Sequence, residues 1–377
     1  MNHHQQDFSS FDEYLRQGEP NQKEAASNWK TAIGLQAVDG LQPSAYLIDV
    51  AKRNIEGEIT IEETRKLIAS YYQSKTARTP KEEEEEEADK VSANIAKILS
   101  TKTFAFNTNG YVSLHRRIFE GVFKHAGEIR TYDIGKKEWV LEGDSVSYLN
   151  WEDLRRALDW DIEQEKNFQY KGLSDDEKIE HIAKFISGIW QIHAFREGNT
   201  RTTAIFTIQY LRSLGYKVNN EMFAKHSWYF RNALVRANYR NINKGIEYSP
   251  IYLVRFFRNL LLGEGWVLKN RYLHIHPREE WKVQPRLDTP QVPHEPHQKV
   301  DRKGGQKTEK VDRKGGQKTK DSILSLIASD PSITTIEMSK QLGINRSAIS
   351  KHMKKLKEEH IIERIGPDKG GIWHIKE

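Results

Sequence analysis

Apolar residues recur at helical spacing over most of this chain. Ile179, Ile182, Ala183, Ile186 and Ile189 mark the buried face of one predicted helix, and Ala204, Ile205, Ile208 and Leu211 mark that of the next. Upstream, the pattern predicts short helices over Asn28–Val38, ending at Asp39-Gly40, and over Ser44–Asn54, ending near Gly57. A third starts at Thr60, where Glu63 completes a capping box. Val112–Phe123 and Trp151–Phe168 also read as helices. Between them, Trp139, Val140, Leu141, Val146 and Tyr148 flank the turn-like Glu142-Gly143-Asp144, so a hairpin is predicted over Glu138–Tyr148. Thr79-Pro80 and the acidic run Glu82–Glu87 interrupt the helical pattern and read as a solvated linker or an exposed helix face.

Beyond Gly265, prolines accumulate and Lys299–Thr308 is repeated identically over Lys310–Thr319. A charged, apolar-poor stretch with Gly-Gly pairs buries too little surface to fold, so it reads as a tether. Residues 321–377 then carry three helical patterns, a turn glycine at Gly343 and two short β-favouring runs around a glycine-rich turn, the layout of a winged helix-turn-helix. Its third helix is basic, and Arg346, Lys351, Lys354 and Lys355 are its candidate DNA-binding residues. The chain thus divides into 1–80 (helical), 89–265 (core), 266–320 (linker) and 321–377 (winged helix). It is mainly α, with an α+β module at the C-terminal end.

A length of 377 residues accommodates several such units. The absence of cysteine excludes disulfides, thiolate metal sites and cysteine nucleophiles. No apolar run approaches bilayer length, so no membrane partner is expected. Met1–Asp12 is polar, without a signal-peptide pattern, which makes a cytoplasmic location the default expectation. The net charge of +6 is small for this length, so nucleic-acid binding has to come from a local patch.

Between the two core helices lies His193-Ala-Phe-Arg-Glu-Gly-Asn-Thr-Arg201, a base, a carboxylate, a backbone-exposing glycine, an amide and a guanidinium in nine positions. Gly198 permits close backbone approach, and Asn199-Thr200 begins a helix whose free amides favour an anion. This run resembles the signature of the Fic family, HxFx(D/E)GNxRxxR, and Ala126–Arg130 with the predicted hairpin resembles the family's flap. The resemblance spans about residues 89–265. It implies a Fic-type helical core with a β-hairpin flap, and a nucleotidyltransferase that moves AMP from ATP to a hydroxyl of a protein substrate.

Residue by residue, the resemblance implies that His193 is the catalytic base and that Glu197 helps hold Mg2+. It also implies that Gly198, Asn199, Thr200 and Arg201 bind nucleotide phosphates, with the Asn199 side chain as an added donor. Trp139, Val140, Val146 and Tyr148 belong to the flap that registers the target. The signature's second arginine is Ala204 here, at a cost of about 1.5 to 3 kcal/mol in holding a terminal phosphate. Another nucleotide or phosphate donor therefore stays open, as does a transcription regulator whose core senses a nucleotide; a homodimer is a further open option. Leu35–Gly40 resembles the family's antitoxin-like motif (S/T)xxxE(G/N), with Asp39 and Gly40 as regulatory residues. Because the expected arginine partner is Ala204, this segment is expected to dock on the core without inhibiting through that bridge.

Overall fold

The computed structural model describes residues 9–75, 77–101, 103–218, 221–287, 315–331, 333–342, 346–358, 361–365 and 372–375. The chain forms two compact units, 1–293 and 294–377.

The first unit opens with α1 (Ser9–Gln17), α2 (Pro20–Gly34), α3 (Ala45–Ile55) and α4 (Ile61–Gln73). Their ends follow the sequence signals. Gly40 closes the turn after α2 at φ +77°, Ser44 caps α3, and Thr60 with Glu63 forms the expected capping box at α4. Next comes α5 (Pro80–Ser100), which overturns the reading of Thr79-Pro80 as a break. Thr79 is the N-cap, Pro80 takes the first turn, and Glu82 returns to the Thr79 amide. Proline lacks only an amide that a first helical turn leaves unbonded, so the same dipeptide that ends one helix starts another. The acidic run is therefore the first part of a 21-residue helix, with Glu82 and Glu83 at the favourable end of its dipole.

The α2 and α5 helices pack together, and α2 crosses α10 (Glu221–Asn238) so closely that a Cβ on Gly34 would fall 2.6 Å from the Ala224 backbone. The N-terminal helices and the core share one continuous apolar interior, including Trp29, Val91, Ile186, Phe206 and Phe230. Residues 1–80 and 89–265 are thus one compact unit rather than two. The remaining helices of this unit are α6 (Thr108–Ile118), α7 (Leu154–Asn167), α8 (Asp175–Ile192), α9 (Asn199–Ser213) and α11 (Ile251–Leu262). The segment 266–287, expected as linker, instead packs on this unit through Leu268, Tyr272, Leu273 and Ile275. The first copy of the tandem repeat lies outside the described residues.

The predicted hairpin over 138–148 contains no strand. The chain does reverse, with the Glu138 amide donating to the Asp144 carbonyl at 2.9 Å, but Trp139–Leu141 is a 3-10 turn followed by Glu142 at φ +56°. The β-favouring residues are there for burial: Val140, Leu141 and Val146 sit in the core, and the Val140 carbonyl accepts from the Ile275 amide at 3.0 Å.

The second unit contains α12 (Gly315–Ser329), α13 (Thr335–Leu342), α14 (Arg346–Glu358), β1 (Ile362–Ile365) and β2 (Ile372–Ile375). β1 and β2 pair antiparallel, with Glu363 opposite His374. Ile323, Ile327, Met338, Ile349, Met353, Leu356 and Trp373 form its separate core. The three helices and the two wing strands expected from the sequence are present, while the turn at Gly343 and the glycine-rich turn of the wing lie outside the described residues; α12, however, starts inside the second repeat copy.

Candidate active site

The nine-residue run joins α8 to α9, as predicted. His193 is the C-cap of α8 at φ +51°, a left-handed backbone that is rare for a residue with a side chain. Arg130 holds it there. This arginine is buried and donates to four backbone carbonyls: its amide to that of Ala194 (2.9 Å), its Nε to that of His193 (2.8 Å), and its terminal nitrogens to those of Tyr132 (2.6 Å) and Leu149 (2.5 Å).

The His193 ring is buried under Tyr148, with stacked centroids 3.9 Å apart, and its Nδ1 lies 3.3 Å from the Trp190 carbonyl. A carbonyl only accepts, so that contact places the proton on Nδ1 and leaves Nε2, which has no protein partner, as the basic nitrogen. Burial first, then the charges of Lys136, Arg130 and Arg231, hold the imidazole pKa well below its ordinary value, against the Trp190 carbonyl. Tyr148 is itself tethered: its hydroxyl donates to Glu138 at 3.3 Å, and Arg231 grips that carboxylate at 2.6 and 3.1 Å. Trp139 of the same segment is half exposed and packs on His274, whereas the side chains of Val140 and Val146 are fully enclosed.

At the far end of the loop, Gly198 adopts φ +72° under the ring of Phe119, 2.1 Å from where a Cβ would stand. No other residue fits. The α9 helix then starts at Asn199 without a side-chain cap on its first-turn amides. The Asn199 side chain, expected as an added phosphate donor, is bonded within the loop. It accepts from the Phe195 amide (2.9 Å) and donates to the Phe195 carbonyl (2.7 Å), clamping the loop shut. Thr200 likewise accepts from the Trp190 indole at 3.0 Å. His115 supports the loop from α6. Its Nδ1 accepts from the Gly127 amide (2.8 Å), so its Nε2 donates to the Glu197 carbonyl (3.1 Å). Burial lowers the His115 pKa to about 3, keeping it in that neutral form.

Arg201 is almost wholly enclosed and faces three polar partners, with its Nε meeting Asp39 as an ion pair and not as a hydrogen bond. Its Nε lies 2.8 Å from Asp39, one terminal nitrogen donates to Gln36 at 3.0 Å, and the other to Glu87 at 2.8 Å, while Phe119 lies beneath at 4.8 Å. The acid expected to lack a partner because of Ala204 therefore meets the first arginine instead of the second. Gln36 and Asp39 are three apart in one 3-10 turn and so share a face. Glu197, by contrast, is exposed, and among the described residues no group of three or more potential ligands gathers. Arg130, His115, Phe119, Gln36 and Glu87 were not singled out by the sequence; Arg130 stood only as the last residue of the flap-like run Ala126–Arg130. On α14, the Lys355 side chain is exposed; the side chains of Arg346, Lys351 and Lys354 lie outside the described residues.

A family model for Fic/DOC proteins matches residues 105–211, and one for winged helix-turn-helix DNA-binding domains matches 318–363. Among curated proteins, the chain is 22% identical to protein adenylyltransferase VbhT of Bartonella schoenbuchensis, over 46% of this chain and 38% of that one. It is 28% identical to a probable protein adenylyltransferase Fic of Salmonella typhimurium, over 31% of this chain and 55% of that one. The chain spans less than two thirds of the length of the curated relatives it matches. Solved structures similar to it include a Fic family protein from Desulfovibrio desulfuricans, at 11% identity, TM-score 0.42, over 98% of this chain and 93% of that one. The N-terminal Fic domain of a Bartonella effector protein matches at 20% identity, TM-score 0.39, over 49% and 84%. The first match encloses the whole His193–Arg201 loop and the second runs from within α12 to the start of β1, so the chain carries a Fic/DOC-family domain and a winged helix-turn-helix domain.

Proposed function

We propose that this protein is a Fic-type protein adenylyltransferase with an appended DNA-binding module. The reading rests on one observation: a neutral, buried His193 whose Nε2 is free, positioned by Arg130 at one end of a loop whose other end is the uncapped start of α9. The relatives named protein adenylyltransferase support the same chemistry. In such a transfer the target hydroxyl oxygen bonds to the α-phosphorus of ATP, its proton passes to His193 Nε2, and the bond to the β-phosphate oxygen breaks to release pyrophosphate. The α9 amides offset the phosphate charge. Glu197 suits a magnesium ion that arrives with the nucleotide, since one carboxylate plus phosphate oxygens is a usual donor set for that ion. Such an ion would neutralise phosphate charge.

Asp39, Gln36 and Glu87 serve as the regulator. They occupy the guanidinium that the phosphates need, and Tyr148 covers the base, so this arrangement is a resting one. Ala204 favours a second reading, a regulator that senses a nucleotide without transferring it. Incubating the full chain with magnesium and ATP labelled at the α-phosphate, alone and with lysate proteins, tests the first. His193-dependent label is expected, rising severalfold in Asp39→Asn/Glu87→Gln. No label in the wild type or in that variant overturns the transferase; equal label in both overturns the lock.

A further inference from the structure

A cleft of about 1220 Å³ opens between α7, α8 and α11, away from the nucleotide loop. Its rim carries Trp160, Tyr248 and Ile251, three of the most exposed large apolar side chains of the unit. Its wall carries Asp161, a half-buried carboxylate that no described residue bonds or pairs with. Burial alone pushes the Asp161 pKa up, with no cation opposing it. Gly188 faces it across the cleft, where a Cβ would stand 3.3 Å from the carboxylate oxygen.

The other charged groups of the cleft do not supply a counter-ion. His181 is bound to Glu165 at 2.6 Å, Glu180 adds negative charge, and Lys184 is the one lysine, more than 4 Å from Asp161. Glu165 is also held by the Tyr170 hydroxyl at 2.6 Å. The cleft is continuous with a smaller hollow of about 270 Å³ that shares Asp161, Gly188 and Gln191 and reaches Tyr148, the residue stacked on His193.

The geometry points to this cleft as the docking groove for a basic segment of the protein substrate, with an arginine side chain paired to Asp161 and lying against Trp160. A guanidinium matches a carboxylate in two parallel hydrogen bonds and stacks on an indole face, and α7 contributes both partners to the lining of the cleft. Tyr248 and Ile251 receive the apolar neighbours of that arginine, and the smaller hollow leads the following residues to the flap. This assignment rests on the transferase reading for the identity of the partner, but its test does not use transfer.

Fluorescein-labelled serine peptides bearing arginine and an aromatic residue are titrated into the full chain without nucleotide, beside citrulline and glutamate counterparts. The arginine set is expected to bind about tenfold or more tighter than the citrulline set, as one charge-assisted pair provides. Asp161→Asn should erase that preference and His193→Ala should keep it. Asp161→Asn should also melt no lower than the wild type at neutral pH, because it removes a desolvated charge, which separates lost docking from lost folding. Equal binding of the arginine and citrulline peptides, or a preference surviving in Asp161→Asn, overturns the proposal. So does a change in oligomeric state on Trp160→Ala with no peptide competition, since a second copy would then fill the cleft. An arginine preference without any labelling would sink the transferase and leave the groove standing; labelling without the preference would do the reverse.

Discussion

Asn199 shows how a signature residue acts through the backbone. Its amide faces both polar groups of Phe195, so the loop between His193 and Gly198 is closed by one side chain. Asn199→Ala should therefore cost about 1 to 3 kcal/mol, the range for leaving buried polar groups unpaired, read as a lower urea midpoint with an unchanged slope. Asn199→Asp retains the acceptor and loses the donor, so its midpoint should fall between the two. A role limited to phosphate binding would leave both midpoints where the wild type has them. The sequence shows that an amide is needed here but not what it bonds, because a free donor and a clamp share one side chain.

At the scale of elements, α5 links the N-terminal helices to the loop, and it does so with acids. Glu87 reaches Arg201, while Asp89, fully enclosed two residues on, accepts from the Ser44 amide (2.9 Å) and hydroxyl (2.6 Å) and from the Tyr72 hydroxyl (2.7 Å). Burial raises the Asp89 pKa to about 6, and these hydrogen bonds offset only part of that. A carboxyl raised on folding weakens the folded state above that value and ceases to do so below its unfolded pKa. Asp89→Asn, which keeps one acceptor for the Ser44 amide and turns its NH2 toward the hydroxyl oxygens of Ser44 and Tyr72, should thus raise the melting temperature at neutral pH. The gain should shrink as pH falls from about 6 toward about 4. A gain independent of pH would show that the carboxyl is neutral throughout.

The elements also mark what the sequence could disclose. The capping box at Thr60, the Gly40 stop and the helix pair around His193 are local signals between neighbours, and each was legible, whereas the equally local box at Thr79 was masked by the proline beside it. The contacts of Arg201 with Glu87 and Gln36, and of His115 with Glu197, join residues far apart in the chain and leave no local trace. The absent hairpin has a different cause. A cluster of β-favouring residues such as Trp139, Val140, Val146 and Tyr148 fits a strand, but it fits equally an irregular loop that inserts Val140 and Val146 into a core.

At the scale of the molecule, the chain pairs a largely helical first unit with a smaller module that has its own core. The module's α14 carries Arg346, Lys351, Lys354, Lys355 and Lys357. Full chain titrated with duplex DNA should bind modestly and lose affinity steeply with salt. Replacing Lys354 and Lys355 with alanine should reduce the logarithmic salt slope by about 1 to 2, one phosphate contact each. Binding that ignores salt or these lysines would reassign the module to protein docking. No helix among the described residues is long and apolar enough to cross a membrane.

Arg130 has a consequence beyond holding His193 in place. By bonding the carbonyls of Tyr132 and Leu149 together with those of His193 and Ala194, it pins both feet of the flap to the base of the catalytic loop. The span between the feet thus begins and ends at the side chain that fixes the His193 backbone, and Tyr148 within it stacks on the ring, so a displacement anywhere along the span is transmitted to the histidine.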